Sequence, residues 1–309
     1  MTLIAVLGST NMDLVAYVEK APQRGETVTG REFRTIPGGK GANQAIAAAH
    51  AGADVTIISA VGNDAYGAQL RSTFELPHSR LRSTGGTPIG VDTDHLRTVE
   101  GPSGTAHIVV DDEGGNAIVV IPAANGTVDH LAPGDEGMIA TADALLLQLE
   151  IPLTGVLAGA EAARRHGVRT ILTPAPAQPL PPQLLAAVDL LIPNEHEATA
   201  LTGRTDPREA AAALLDQVPE VIVTLGAAGS LYAARGAEPL TVPAPQVTAV
   251  DSTGAGDTFV GALAVALAEG RPMRDALAWA AAAAALSVQR PGATASMPFR
   301  AEIDKQYAA

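Results

Sequence analysis

Two hydrophobic textures alternate along the chain. One is a short apolar run closed by Gly, Pro or Asn, as in Leu3-Ile4-Ala5-Val6-Leu7-Gly8. A run with no polar alternation suits a strand buried on both faces. Such runs predict strands at 3–7, 55–60, 144–149, 170–172, 190–192 and 221–225. The other texture is longer, Ala-rich and helical in its spacing. It predicts helices at 42–51, 65–73, 153–166, 195–201, 208–216, 257–269 and 274–289. Strand–helix alternation of this kind calls for a parallel sheet with right-handed crossovers.

A third texture lies in the N-terminal third. Short strands are expected at 13–18, 32–36, 98–100, 105–111 and 117–121, and Asp112-Glu113-Gly114-Gly115-Asn116 reads as a hairpin turn between the last two. These segments are interleaved with the strand–helix units. We therefore expect one domain over 1–309, with a small sheet built from about 12–36 and 97–121 projecting from it and placed to cover a cleft. Leu70-Arg71-Ser72-Thr73 recurs as Leu81-Arg82-Ser83-Thr84, and the stretch 74–90 reads as a surface insertion.

Composition narrows the functions open to such a fold. The net charge of −13 disfavours nucleic acid and anionic membranes as partners. It would repel a nucleotide as well, so any nucleotide site needs local positive potential from amides, a metal or a few basic side chains. With no cysteine there are no disulfides and no thiolate zinc sites, which fits a reducing cytoplasm. The apolar N-terminus is too short for a signal peptide, and the Ala-rich run at 279–288 is half a membrane span. The seven histidines (His50, His78, His95, His107, His130, His166 and His196) show no metal-binding spacing and are read as structural or surface residues. There is no Walker A loop, Gly-x-Ser-x-Gly elbow or His-Glu-x-x-His helix, and no Gly-x-Gly-x-x-Gly after the first strand.

Six places carry candidate chemistry. In Asp251-Ser252-Thr253-Gly254-Ala255-Gly256-Asp257, small residues let the backbone approach a ligand, and the amides of Gly254, Ala255 and Gly256 point into a helix N-terminus, an anion hole for a phosphoryl group. Asp257 reads either as a catalytic acid–base group or as a helix cap. Gly38-Gly39-Lys40-Gly41-Ala42-Asn43 sets one of only three lysines in the tightest glycine cluster. Lys40 and Asn43, a helical turn apart, can face one ligand, or Lys40 can simply be a solvated helix start. Asn11 and Asp13 lie on one face of an extended segment, suited to vicinal hydroxyls or to an ordinary turn. Asn194 and Glu197 form either a capping box or a set of water-mediated magnesium contacts. Thr224-Leu225-Gly226-Ala227-Ala228-Gly229 ends a strand in bare backbone on which a nucleotide can lie, and Glu150 sits where α/β folds place ligand groups.

The order and spacing of these motifs resemble the ribokinase-type carbohydrate kinases. Gly38–Asn43 with Gly52 and Val61–Gly67 is similar to the family's N-terminal signature. Asp251–Asp257 is similar to its C-terminal one, and Asn194–Glu197 to its Asn-x-x-Glu motif. Segments 25–28, 38–45, 147–150 and 174–177 look most like the family's ribose-phosphorylating members. The resemblance spans about residues 3–299 and implies a doubly wound α/β fold with a small β lid that pairs two subunits into a homodimer. It implies D-ribose held by Asn11, Asp13, Gly39, Lys40, Asn43 and Glu150, with Asp257 as base toward the 5-hydroxyl. It implies ATP near Asn194, 224–229 and Gly256, with magnesium on the phosphates. It also implies a potassium-type monovalent cation at Asp251, Thr253, Ser287, Arg290, Gly292 and Ser296. The almost pure alanine of 279–286 departs from the family's usual adenine pocket, where a polar contact is common near Ala281. It implies loose selectivity for the base. Against this stand a kinase of 2-deoxyribose, fructose or a nucleoside, and a non-catalytic sugar-binding regulator. The few aromatics disfavour a nucleoside, and the base-plus-anion-hole motif disfavours the regulator.

Overall fold

The computed structural model describes residues 2–75, 90–113 and 115–308. Most of the 74–90 stretch, His78 and the second copy of the Leu-Arg-Ser-Thr echo lie outside the described residues.

The chain opens with β1 (Leu3–Leu7), β2 (Asn11–Tyr17), β3 (Glu32–Gly38) and α1 (Lys40–His50). Next come β4 (Asp54–Gly62), α2 (Ala65–Glu75), β5 (Val91–Asp92), β6 (Leu96–Val99), β7 (Gly104–Val110) and β8 (Asn116–Ile121). Regular alternation then takes over: α3 (Asp135–Ile139), β9 (Ala144–Leu147), α4 (Leu153–His166), β10 (Arg169–Leu172), α5 (Pro182–Leu185), β11 (Leu190–Leu191), α6 (Glu195–Thr202), α7 (Pro207–Leu214) and β12 (Glu220–Thr224). The chain closes with β13 (Ser230–Ala234), β14 (Leu240–Val242), α8 (Ala255–Ala268), α9 (Met273–Ser287) and α10 (Arg300–Tyr307).

The main sheet runs β14-β13-β12-β11-β10-β9-β1-β4-β5, with β6 also pairing β4. It is parallel from β12 through β4 to β5, while β13 and β14 turn antiparallel at one edge. Both faces are covered, which explains the unbroken apolar runs. In β1, Ile4 and Val6 join a core with α1, α8 and α9, and Ala5 and Leu7 join a second core with α4, α5 and α7. The doubly wound, mainly parallel fold expected from the motifs is the fold observed. Among the described residues no helix is long and apolar enough to cross a membrane.

A separate four-stranded sheet has the order β3-β2-β7-β8. One expectation needs correcting here. The segment from residue 97 does not enter this sheet, because β6 pairs in parallel with β4, Ser59 opposite Leu96 through Gly62 opposite Val99. Leu96 is buried at 3% exposure in the first core, and this anchors β6 to the main layer. The second half of the small sheet therefore begins at Gly104.

Helices α1 and α8 pack so closely that side chains on each reach the other. Gly261 makes this possible: a Cβ there would sit 2.6 Å from Ala47 Cβ and 2.8 Å from the Ala48 nitrogen. It lies one turn beyond Asp257 on the same helix face, so this contact sets the height at which Asp257 meets α1.

Candidate active site

The parallel strands all end on one edge of the sheet, and β1 and β9 diverge there, β1 leading on to β4 and β9 to β10 and β11. Open α/β sheets bind ligands at such a switch point. Gly8 follows β1 here, and Glu150 lies just beyond β9. The ends of β2 and β3 and the start of α1 close in from the side of the small sheet.

Asp257 is buried at 8% exposure, and each carboxylate oxygen accepts one amide. Asn43 Nδ2 donates to Oδ2 at 3.0 Å and Gln44 Nε2 to Oδ1 at 3.1 Å. The helix starts at Ala255 with Gly254 as its left-handed cap, so Asp257 is its third residue. Capping does not account for Asp257: its carboxylate is turned across to α1. Ala255 N–H donates to the Ser252 carbonyl at 3.2 Å, and the Thr253 amide to Asp251 Oδ1. The amides of Gly254, Gly256 and Asp257 have no protein acceptor among the described residues. Of the three amides expected to form an anion hole, those of Gly254 and Gly256 are unengaged and that of Ala255 is taken by Ser252, while the unengaged amide of Asp257 was not among those expected.

Glu150 Oε2 accepts from the Lys40 amide at 2.9 Å and from Ser9 Oγ at 2.5 Å, so it satisfies the first orphan amide of α1. Asn11 is 2% exposed. Its Oδ1 accepts from Asn125 Nδ2 at 2.6 Å, which leaves the Asn11 amide group as a donor. Asn125 itself is pinned by bonds to both backbone groups of Thr10. The carboxylate of Asp13 lies against Gly38, where a Cβ would sit 2.3 Å from Oδ2. Asn43 Oδ1 is buried with no hydrogen-bond partner, a strong acceptor with nothing to accept from.

The electrostatics bind these residues together. Burial, reinforced by Glu150 and Asp257 and opposed by Lys40, pushes Asp13 up to about 7. Burial likewise raises Asp257, against the pull of Lys40, Asn43 and Gln44. Burial works against the Lys40 ammonium too, but Asp257, Glu150, Glu197 and Asp13 outweigh it and hold the lysine above its usual value. Glu197 is raised by burial. A cation ringed by carboxylates, three of them (Asp13, Asp257 and Glu197) with raised basicity, suits proton removal from a neutral hydroxyl.

Beside this polar space lies a cavity of about 300 Å³. Of the positions expected near ATP, Thr224, Gly226, Ala227, Gly229 and Gly256 line it, and Ala255 lines it beside Gly256. Leu225 packs into the second core and Ala228 is exposed, so neither lines the cavity. On the opposite wall the sequence reading missed Pro245, Gln246, Val247, Phe259 and Val288, whereas Ala284 and Ala285 come from the alanine run 279–286 that it had singled out. Ala281 is on that wall as expected. Asn194 bridges to Thr224 at the cavity edge. The capping box is formed: Asn194 N donates to Glu197 Oε2 at 2.8 Å, Asn194 Nδ2 to Oε1 at 2.9 Å, and Glu197 N to Asn194 Oδ1 at 2.8 Å.

Among the residues expected to hold a monovalent cation, Asp251 bonds to both Thr253 and Gly292, and Arg290 to Ser287. Asp251 Oδ1 accepts from the Thr253 amide and hydroxyl, and Oδ2 from the Gly292 amide at 2.8 Å. Burial works to raise Asp251, but these bonds outweigh it and hold the carboxyl low. Ser287 and Ser296 are buried, with their hydroxyls bonded to the carbonyls of Ala284 and Ala293. The Ser287 carbonyl accepts from the Arg290 amide, whereas the carbonyls of Asp251, Thr253, Arg290 and Gly292 accept from no backbone amide among the described residues. No cluster of three or more His, Cys, Asp or Glu suited to a metal occurs among the described residues.

Comparison with known proteins decides the family. The model of the pfkB family of carbohydrate kinases matches residues 1–300. The chain belongs to this family. It is 38% identical over 328 residues to a ribokinase of Schizosaccharomyces pombe, covering 99% of this chain and 98% of that protein. It is 41% identical over 310 residues to the Bacillus subtilis ribokinase, covering 99% of each. Arabidopsis thaliana ribokinase, solved with ribose and ATP, superposes with a TM-score of 0.90 at 34% identity over the whole of both chains.

Proposed function

We propose that this pfkB-family kinase transfers the γ-phosphoryl group of ATP to the 5-hydroxyl of D-ribose, giving ribose 5-phosphate and ADP. One observation carries the reading: α1 holds the buried Asp257 carboxylate, and the neighbouring Gly256, whose amide is unengaged, lines the adjoining cavity. The match to ribokinases over essentially the whole chain supports ribose as acceptor.

In this mechanism Asn11 donates to a ribose hydroxyl, while Asp13, Asn43 Oδ1 and Glu150 accept from others. Gly39 and Lys40 close the sugar site from the start of α1. Asp257 takes the 5-hydroxyl proton as the oxygen attacks. The amides of Gly254, Gly256 and Asp257 receive the charge that develops on the transferring group. Glu197, its oxygens engaged in the cap, would hold a magnesium ion bound with ATP through water, and that ion would supply neutralisation of the phosphate charge. The free carbonyls of Asp251, Thr253, Arg290 and Gly292 are hard oxygen donors that suit a monovalent cation such as potassium. Such a cation would add positive potential beneath the anion hole.

The small sheet acts as a lid over the sugar, excluding water from the phosphoryl acceptor. Its outer strands expose apolar side chains, with Phe33 at 62%, Ile118 at 53%, Val119 at 61% and Ile121 at 46%. Pairing of two lids in a homodimer would cover this face. The composition suits action in the cytoplasm. Phosphorus NMR of a reaction with magnesium-ATP and ribose tests the assignment. A product signal coupled to the two C5 protons supports it, and a signal coupled to the single anomeric proton contradicts it.

A further inference from the structure

Behind Asp257 lie two glutamines, both fully buried, that the mechanism above does not use. Gln44 Nε2 donates to Asp257 Oδ1 at 3.1 Å and to Thr173 Oγ1 at 3.2 Å. Its Oε1 accepts from Gln148 Nε2 at 2.6 Å. Three contacts therefore hold one amide group. A carboxylate can only accept, so the Asp257 charge requires the nitrogen of Gln44 to face it, and this turns the Gln44 oxygen back toward Gln148. The oxygen of Gln148 has no hydrogen-bond partner and is pressed against the backbone of Gly8, where a Cβ would lie 2.0 Å from it. A sealed, unsatisfied oxygen costs stability that an apolar side chain of similar size would avoid. The gain that offsets this cost is the orientation of Gln44.

We propose that Gln44 is a positioning residue for the phosphoryl-transfer base, held in its working orientation by Gln148. The proposal rests on the reading of Asp257 as that base. Asn43 alone would leave the carboxylate free to rotate about the Oδ2 contact. Gln44 fixes the second oxygen and so the plane of the group, and the remaining lone pairs are directed at the sugar. The bond also favours the anion. That matters because the charged groups facing Asp257 are mostly of its own sign: Glu150 beyond β9, Asp13 on β2 and Glu197 on α6, against Lys40 on α1. Without Gln44 the carboxyl would hold a proton to higher pH and enter fewer productive complexes.

The test is the pH profile of kcat in Gln44→Met, a swap of similar volume that removes the amide. We expect kcat to fall by about tenfold at neutral pH. The acid limb should move upward by about one pH unit, the size expected for one lost hydrogen bond to a charged group. The KM for ribose should stay within about twofold. A purely structural role would lower the melting temperature and leave the limb in place, so an unmoved limb in folded Gln44→Met overturns the proposal. Should Gln44→Met fail to fold, Gln148→Met is read instead: a smaller upward move supports the proposal and an unmoved limb overturns it. Asp257→Asn separates this proposal from the reading beneath it. Normal turnover in that variant removes Asp257 as the base. Loss of turnover there, with unshifted glutamine variants, removes only the role given to Gln44.

Discussion

Replacing Asp257 by Asn removes the base while leaving its surroundings intact, and the structure says how. The new side chain has one acceptor and one donor where two acceptors stood. Gln44 cannot adapt, since its nitrogen is shared with Thr173 and its oxygen is taken by Gln148. The asparagine oxygen must therefore stay on Gln44, which sets its nitrogen against the Asn43 amide. Asn43 can turn over, because its own oxygen has no partner to lose. The turned residue then presents a donor instead of an acceptor to the sugar, and a hydroxyl can meet either. The variant also loses a buried carboxyl of raised basicity, so its melting temperature at pH 8 should equal or exceed that of the parent. Ribose affinity by calorimetry should change little. Turnover should fall by roughly 10²–10⁴-fold, the usual worth of a general base, or about 3–5 kcal/mol of activation free energy. A folded variant that binds ribose and keeps turnover within tenfold of the parent would refute the reasoning.

Other expectations follow from the same geometry. Asp13, at about 7 when folded against 3.8 for the free side chain, binds its proton more tightly in the native state. Its contribution to stability is therefore full below pH about 4 and is lost as pH rises through about 7, by up to about 4 kcal/mol. The melting temperature of Asp13→Asn relative to the parent should accordingly climb between pH 4 and 7, and a constant difference would contradict this. Gly261→Val drives a side chain into Ala47 and the α1 backbone, so it should cost stability by about 1–3 kcal/mol and lower kcat by displacing Asn43 and Gln44. Chemical denaturation and turnover measure the two effects, and an unchanged variant would mean that the helix contact does not set the site. Asp251→Ala releases the Thr253 turn and the Gly292 amide. Potassium activation measured against sodium should disappear in that variant, and full activation would place the cation elsewhere. Val119→Asp on the exposed face of the small sheet should shift a dimer toward monomer in sedimentation, and an unaltered mass would exclude that face as the interface.

The βα units were legible because a sheet buried on both faces leaves unbroken apolar runs, as in Ala144-Leu145-Leu146-Leu147, and because Ala-rich helices carry clear spacing. The small sheet was legible only in part. Thr98 and Glu100 look like edge-strand residues, yet the neighbouring Leu96 carries that segment into the main core, and nothing local announces it. At β13, Leu231 and Ala233 alternate over too short a span to stand out. The glycine-flanked side chains Lys40, Asn43 and Asp257 could be found because the turns that aim them have a signature. Gln44, Gln148 and Asn125 could not. They act by orienting other side chains across 104 to 213 residues of sequence, and an amide in a helix or after a strand looks the same whether it faces solvent or a carboxylate. On the cavity wall the alanines of 279–286 were foreseen, but Pro245, Val247, Phe259 and Val288 were not, because apolar side chains pack a core and line a pocket with equal ease.

The most direct test of the central claim is ADP release with magnesium-ATP across ribose, 2-deoxyribose, fructose, adenosine and uridine, each at matched concentration. Ribose should give the highest kcat/KM of the set. A larger value for another acceptor would contradict the assignment of ribose, and no acceptor-dependent release at all would contradict catalysis itself.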